Sequence, residues 1–320
     1  LVRRLDNNLF DSTSVPINVA ASSQTPLTVT VRNMDLPSPL PAHWQVKPID
    51  RSRSELTIPA GNLLLPSGEQ SRVQAAGQLP QGFDPSLWYA SRHHPRALQM
   101  TIFGASDCVG MAGIAWQKIA ASVAPEQIAV YASGAMSQLD DNGLGGMLKH
   151  LHQGKRVTSK QCPLGLGEMP ADFINAYVLG SVGRTGGMLG ACASFLYNLS
   201  LGVHDIRAGR ARVALVGAAE APLVPEIFEG YRAMGALAED EDLLKLDPQR
   251  KTPDWRRAVR PFGHNCGFTL AESAQFFLLM DDALALELGA DILAAVPDVF
   301  VHADGVKKSI SAPGIGNYLT

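Results

Sequence analysis

Residues 185–210 read TGGMLGACASFLYNLSLGVHDIRAGR. The glycine-rich stretch 186–191 has the texture of a short strand. It runs directly into Cys192, at the first turn of a long helix expected over 192–209. The small residues Gly190, Ala191, Ala193 and Ser194 leave room for a sharp strand-to-helix turn and for a substrate to approach the sulfur. A helix N-terminus presents unpaired N–H groups and a partial positive charge, which favours thiolate over thiol. It also puts the Cys192 N–H where it can bind a developing oxyanion. Such a thiolate is suited to covalent acyl transfer. A plainer reading stands beside this one, because a free cysteine is commonly a small buried hydrophobe. Local geometry alone leaves both open.

Outward from this turn, RVALVGAAEA (212–221) and EQIAVYAS (126–133) read as buried strands, and ESAQFFLLMDD (272–282) as another. PRALQMTIFGASDCVGMAGI (95–114) and ADFINAYVLGSVG (171–183) have helical apolar spacing. DDALALELGA (281–290) is a helix opened by Asp and closed by Gly. ILAAVPDVFVHADG (292–305) reads as further strand. Strands alternating with helices predict an α/β sheet covered on both faces. The run EDEDLLKLDPQRKTPDWRRAVR (239–260) predicts a solvated surface loop. Residues 1–82 differ in texture. They are rich in Pro, Ser and Gln, and PLTVTVR (26–32) and SELTIPAGNLLLP (54–66) predict a β-rich, hairpin-like appendage or cap. The residues give it no role, and 83–320 make up the α/β part.

Bulk properties exclude several function classes. The 320 residues are 46% hydrophobic and 18% charged, with a net charge of −3. No basic field exists to attract nucleic acid or an anionic membrane. The apolar runs fall short of membrane-spanning length, and LVRRLDNNLF at the start lacks the apolar core of a secretory signal. The four cysteines, at 108, 162, 192 and 266, form no CxxC pair and no Cys/His cluster with metal-ligand spacing. Reduced thiols and a cytoplasmic location are expected, with Cys108, Cys162 and Cys266 as inert buried thiols. GRTGG (183–187) lacks the Lys-Ser/Thr ending of a phosphate loop. SRHHPR (91–96) predicts a solvated helix start, with a phosphopantetheine or carrier-protein contact as the alternative.

GACASF (190–195) followed by DIRAGRARVALVGAAEA (205–221) resembles the nucleophile region of β-ketoacyl-acyl-carrier-protein synthases, members of the thiolase-like superfamily. VPEIFEGYRAMGALA (224–238), RPFGHNCGFTLAESA (260–274) and DDALALELGADILAAVPDV (281–299) resemble later segments of the family in the same order. KKSISAPG (307–314) falls where the second half of that fold begins. The resemblance covers residues 83–320 and is closest to a divergent bacterial group that starts fatty acid chains from acetyl-CoA. It implies a thiolase-like layered α/β/α/β/α architecture, here mainly the N-terminal, nucleophile-bearing half. Cys192 is then the acyl-accepting nucleophile. Tyr231 lines the acyl pocket, and Ala135 and Met136, in YASGAMSQLDD (131–141), sit on the turn that limits acyl length. Plain core packing is the competing reading for Tyr231 and Met136.

The implied reaction is a decarboxylative Claisen condensation of a short acyl thioester, acetyl-CoA among them, with malonyl-carrier protein in fatty acid biosynthesis. The family uses no metal and no organic cofactor; its substrates ride on the phosphopantetheine of acyl carrier protein or on CoA. The resemblance also implies acyl carrier protein as partner and a homodimer joined near its two-fold axis by the glycine-rich strand. Departures accompany it. The motifs that hold the family's two catalytic histidines and its second oxyanion donor are absent, so no histidine is assigned. The chain is expected to be a piece of a longer protein that condenses nothing alone. Two other enzymatic or regulatory readings stay open: a degradative thiolase, which malonyl-carrier-protein dependence would exclude, and a non-catalytic synthase subunit, which alkylation of Cys192 would exclude. A purely structural α/β domain would likewise leave Cys192 unreactive.

Overall fold

A computed structural model gives the fold, describing residues 1–6, 14–19, 26–36, 39–59, 61–66, 71–91, 93–151 and 155–303. In chain order the first elements are β1 (Val2–Arg4), β2 (Ser14–Val19), β3 (Leu27–Arg32), β4 (Gln45–Pro48), β5 (Arg53–Ile58), β6 (Gly61–Pro66) and β7 (Ala75–Gly77). Then come α1 (Arg96–Met111), α2 (Trp116–Ala121), β8 (Ile128–Ser133), α3 (Leu144–His150), α4 (Gln161–Gly165) and α5 (Pro170–Ile174). The last are β9 (Arg184–Gly186), α6 (Ser194–Arg207), β10 (Val213–Glu220), α7 (Pro225–Ala233), α8 (Asp240–Leu246), β11 (Ser273–Met280) and α9 (Asp282–Leu288).

The chain divides into two compact units. The larger holds Leu1–Leu5, Val73–Met147 and Thr158 onward; the smaller holds Asp6–Arg72 and Leu148–Val157. The division therefore falls near residue 72 rather than 82. It also returns the first five residues to the larger unit, where β1 pairs antiparallel with β7. In the smaller unit β3, β5 and β4 form an antiparallel sheet, and β2 pairs with β6.

The larger unit is built on a sheet of order β11-β10-β8-β9. β8, β9 and β10 run parallel, and β11 closes the edge antiparallel to β10. Successive side chains leave opposite faces of a strand. On one face Val130, Ala132 and Leu215 meet Ala105 and Val109 of α1 and Ala171 and Ile174 of α5. On the other, Ala129, Ala214 and Val216 meet Leu199 and Val203 of α6. Burial on both sides explains why β8 and β10 read as unbroken apolar runs. The layers lie close: a Cβ on Gly202 of α6 would stand 2.6 Å from Val216 Cγ1.

Several expectations are corrected. The strand expected at 186–191 is β9, at Arg184–Gly186. Past it the chain runs too near β8 for side chains, since a Cβ on Gly187 would lie 2.4 Å from the Ala132 carbonyl oxygen. The helix expected from Cys192 starts at Ser194. The helix expected over 171–183 is short: α5 continues into one π-helical turn, Asn175–Leu179, and stops at Gly180, which is left-handed (φ 58°). Residues 290–303 contain no strand, in keeping with Pro297, which cannot donate to a ladder; 304 and 305 lie outside the described residues, as does KKSISAPG. The charged run 239–260 is no simple loop. It forms α8, whose Leu243 is 2% exposed and packs with Ala75, Ala238 and Ala258, while Lys245 pairs with Glu241 and Asp242 on the wet side.

Candidate active site

The turn around Cys192 closes on itself. Ala191 takes a left-handed conformation (φ 49°), costly for a residue with a Cβ. The Ala193 N–H donates to Gly190 O (3.0 Å), and the Ser194 N–H and hydroxyl both donate to Ala191 O (3.1 and 2.7 Å). Ser194 Oγ in turn accepts from the Gly190 N–H (3.0 Å). Gly190 leaves no space for a side chain, since a Cβ there would meet the Tyr197 ring at 2.0 Å. Cys192 therefore sits two residues ahead of α6, at its positive end, and its side chain is exposed. The reading of a buried, inert hydrophobe does not hold for it. Nor does it hold for Cys162, which is exposed on the short α4, while Cys108 and Cys266 are half-buried.

Two side chains fix this turn to the sheet. Asn198, fully buried in α6, accepts from the Met188 N–H (2.8 Å) and donates to Ser133 Oγ (2.8 Å) and to Gly217 O (3.0 Å). Ser133, the last residue of β8, donates its hydroxyl to Met188 O (2.7 Å). The stretch between β9 and α6 is thus held by side chains from β8 and α6, where the sequence suggested a ladder. Asn198 was not singled out by its sequence context. The available signal was its spacing, four residues from both Ser194 and Gly202 on the face that carries Leu199 and Val203.

Cys192 opens onto a cavity of about 590 Å³. The four residues expected at the site, Ala135, Met136, Cys192 and Tyr231, all line it. So do Glu220 and Phe268, which sequence reasoning did not assign. Tyr231 meets Phe268 edge to face at 5.4 Å, and Phe195 meets Phe277 likewise at 5.1 Å across the same wall. The Tyr231 hydroxyl points to Met136 Sδ at 3.8 Å. Burial pushes the Tyr231 phenol up, with the charges of Cys192 and Glu220 adding to the effect. Burial also raises the Glu220 carboxyl, against the pull of backbone N–H groups from Ala135 and Met136. The lining, an exposed sulfur among aliphatic and aromatic walls, suits an acyl chain tethered as a thioester.

The SRHHPR segment is not merely solvated. His94 lies among the rings of Tyr89, Phe173 and Tyr177, at 5.5, 5.1 and 5.4 Å, and takes a 3.0 Å hydrogen bond with Tyr89 Oη. Arg96 pairs with Glu272, whose side chain is 1% exposed, through Nε and through Nη2 (3.0 Å). Among the described residues no cluster of His, Cys, Asp or Glu has the makings of a metal site, and no helix is long and apolar enough to cross a membrane.

Three parallel strands, closed at one edge by an antiparallel one, thus carry the cysteine turn beyond their ends. The family model for "Beta-ketoacyl synthase, N-terminal domain" matches residues 58–285, and the chain belongs to that family. The β-ketoacyl-[acyl-carrier-protein] synthase FabY of Pseudomonas aeruginosa is 51% identical over the whole of this chain, which covers 51% of FabY. The chain thus spans about half the length of that curated relative. The crystal structure of FabY, described as a noncanonical ketosynthase, superposes with a TM-score of 0.82, again over 100% of this chain and 51% of that one. A β-ketoacyl synthase from Burkholderia phymatum shares the fold at TM-score 0.56 and 20% identity, over 70% of this chain and 52% of that one. So does a solved type II polyketide ketosynthase in complex with its acyl carrier protein, at TM-score 0.53 and 21% identity, over 68% of this chain and 50% of that one.

Proposed function

We propose that this chain supplies the acyl-accepting part of a β-ketoacyl-acyl-carrier-protein synthase of fatty acid biosynthesis, with Cys192 as nucleophile. The observation that carries the reading is the convergence of Cys192, Tyr231, Ala135 and Met136 on one apolar cavity beside the start of α6. The Cys192 thiolate attacks the carbonyl carbon of a short acyl thioester, and the C–S bond breaks to release the CoA or carrier thiolate, which takes a proton from solvent. Malonyl-carrier protein then loses carbon dioxide. The electron pair of the broken C–C bond attacks the acyl-cysteine, forming the new C–C bond and returning the thiolate. Thioester exchange supplies the leaving groups and decarboxylation the carbanion, so the chemistry calls for no metal and no organic cofactor.

The partners are acyl carrier protein and malonyl and acyl thioesters, in the cytoplasm. The ketosynthase solved with its acyl carrier protein supports the first of these. A homodimer is supported by β9, the sheet's edge strand, flanked by exposed Val182, Met188 and Leu189. The test is intact mass after incubation with acetyl-CoA, on the protein as the cell makes it and on Cys192→Ala. An acetyl adduct that Cys192→Ala abolishes is expected. An adduct that survives the substitution, or none with any acyl thioester, rejects the reading, and indifference to malonyl-carrier protein rejects the synthase in favour of a thiolase.

A further inference from the structure

Glu220 ends β10 at the cavity wall, and nothing in the proposed reaction uses it. Its carboxylate accepts two consecutive backbone N–H groups, those of Ala135 and Met136, the second at 3.3 Å. Among the described residues no cation pairs with it. The turn it holds is tight. The Gly134 N–H donates to Gly167 O (2.9 Å), the Ser137 N–H to Gly134 O (3.0 Å) and the Gln138 N–H to Gly165 O (3.1 Å). Ser137 is left-handed (φ 57°), and a Cβ on Gly134 would stand 2.8 Å from Ala219 O. On the cavity side the two N–H groups of Ala135 and Met136 are bound by Glu220, and the Met136 side chain is met by the Tyr231 hydroxyl. Met136 is therefore held at its backbone by one wall residue and at its sulfur by another.

We infer that Glu220 is a positioning residue that sets the depth of the acyl pocket by clamping the Ala135–Met136 turn. This rests on the function proposed above. A carboxylate has two acceptor oxygens for two parallel donors, and hydrogen bonds to an ionised group are stronger than neutral ones. Glutamine offers one oxygen and turns a donor toward the second N–H, so it keeps half of the clamp. Alanine leaves both N–H groups without an acceptor, and Met136 is then free to swing out of an acyl chain's path.

The experiment measures the rate of Cys192 acylation by intact mass with acetyl-, hexanoyl- and decanoyl-CoA, on the protein as the cell makes it and on Glu220→Ala, Glu220→Gln and Met136→Ala. The acetyl-to-decanoyl rate ratio is expected to fall about tenfold in Glu220→Ala, a factor equivalent to about 1.4 kcal/mol and so to part of what the two lost hydrogen bonds contribute. It should fall less in Glu220→Gln, and comparably in Met136→Ala. If Glu220→Ala does not fold, Glu220→Gln and Met136→Ala carry the comparison. Ratios unchanged in the Glu220 variants while Met136→Ala broadens the profile overturn the clamp alone. An acetyl rate that collapses in Glu220→Gln with no change in ratio overturns it in favour of a direct role in the chemistry. Absence of any adduct on the unmutated protein overturns the site reading itself.

Discussion

Replacing Asn198 with alanine tests whether the cysteine turn depends on one buried amide. The side chain is fully buried and makes three hydrogen bonds of 2.8, 2.8 and 3.0 Å, to Met188, Ser133 and Gly217. At about 1 kcal/mol net for each, Asn198→Ala should cost about 3 kcal/mol. For a domain of this size, each kcal/mol moves the melting temperature by about 2–4 °C, so a drop of roughly 6–12 °C is expected. Asn198→Asp keeps the shape and the acceptor for the Met188 N–H. It faces Gly217 O with an oxygen in place of a donor, and should be at least as destabilised. Thermal unfolding by circular dichroism gives the first readout. Iodoacetamide alkylation of Cys192 under native conditions gives the second, corrected for exposed Cys162 with a Cys192→Ala background. Melting within about a degree of the unmutated protein, with unchanged alkylation, would refute the claim that Asn198 anchors the turn.

Arg96→Ala should destabilise by about 3 kcal/mol, because it strands the buried Glu272 carboxylate. Arg96→Ala combined with Glu272→Gln should recover part of that loss in a chemical-denaturation double-mutant cycle. Asp281 gives a pH signature. Hydrogen bonds from Arg212, at 2.7 and 3.1 Å, hold its carboxyl below the usual range. The folded value lies below the unfolded one, so this stability is present above the unfolded pKa of about 4 and is lost as pH falls through the folded value. Asp281→Asn should therefore flatten the fall in unfolding free energy between about pH 5 and pH 3. An unchanged slope would rule out this pair as its source.

The sheet and its two covering layers were legible because burial on both faces writes itself as apolar runs, as in β8 and β10. The cysteine turn was legible through its small residues and the helix that follows. Its supports were not. Asn198 reads as a surface residue until its three partners, at 133, 188 and 217, are brought together by the fold. Glu220 reads as a strand end, because the N–H groups that hold it come from a turn 84 and 85 residues away. The charge of 239–260 concealed α8, a helix seated by the buried Leu243 and half-covered on Leu244 and Leu246, with only Glu241 and Lys245 fully exposed. Pro297 argues against a ladder over 292–303, but the apolar residues around it outweighed that signal.

β8 and β10 end in Ser133 and Glu220, and β9 ends in Gly186, so all three parallel strands release the chain on the side where Cys192 and the cavity lie. Substrates of parallel sheets commonly settle beyond the carboxyl ends of the strands. Here the connections after each strand, at 134–138, 187–193 and 221–224, become interchangeable parts around a fixed frame. A lineage can alter which ligand the cavity admits by editing a few loop residues, while the packed interior that confers stability goes unaltered.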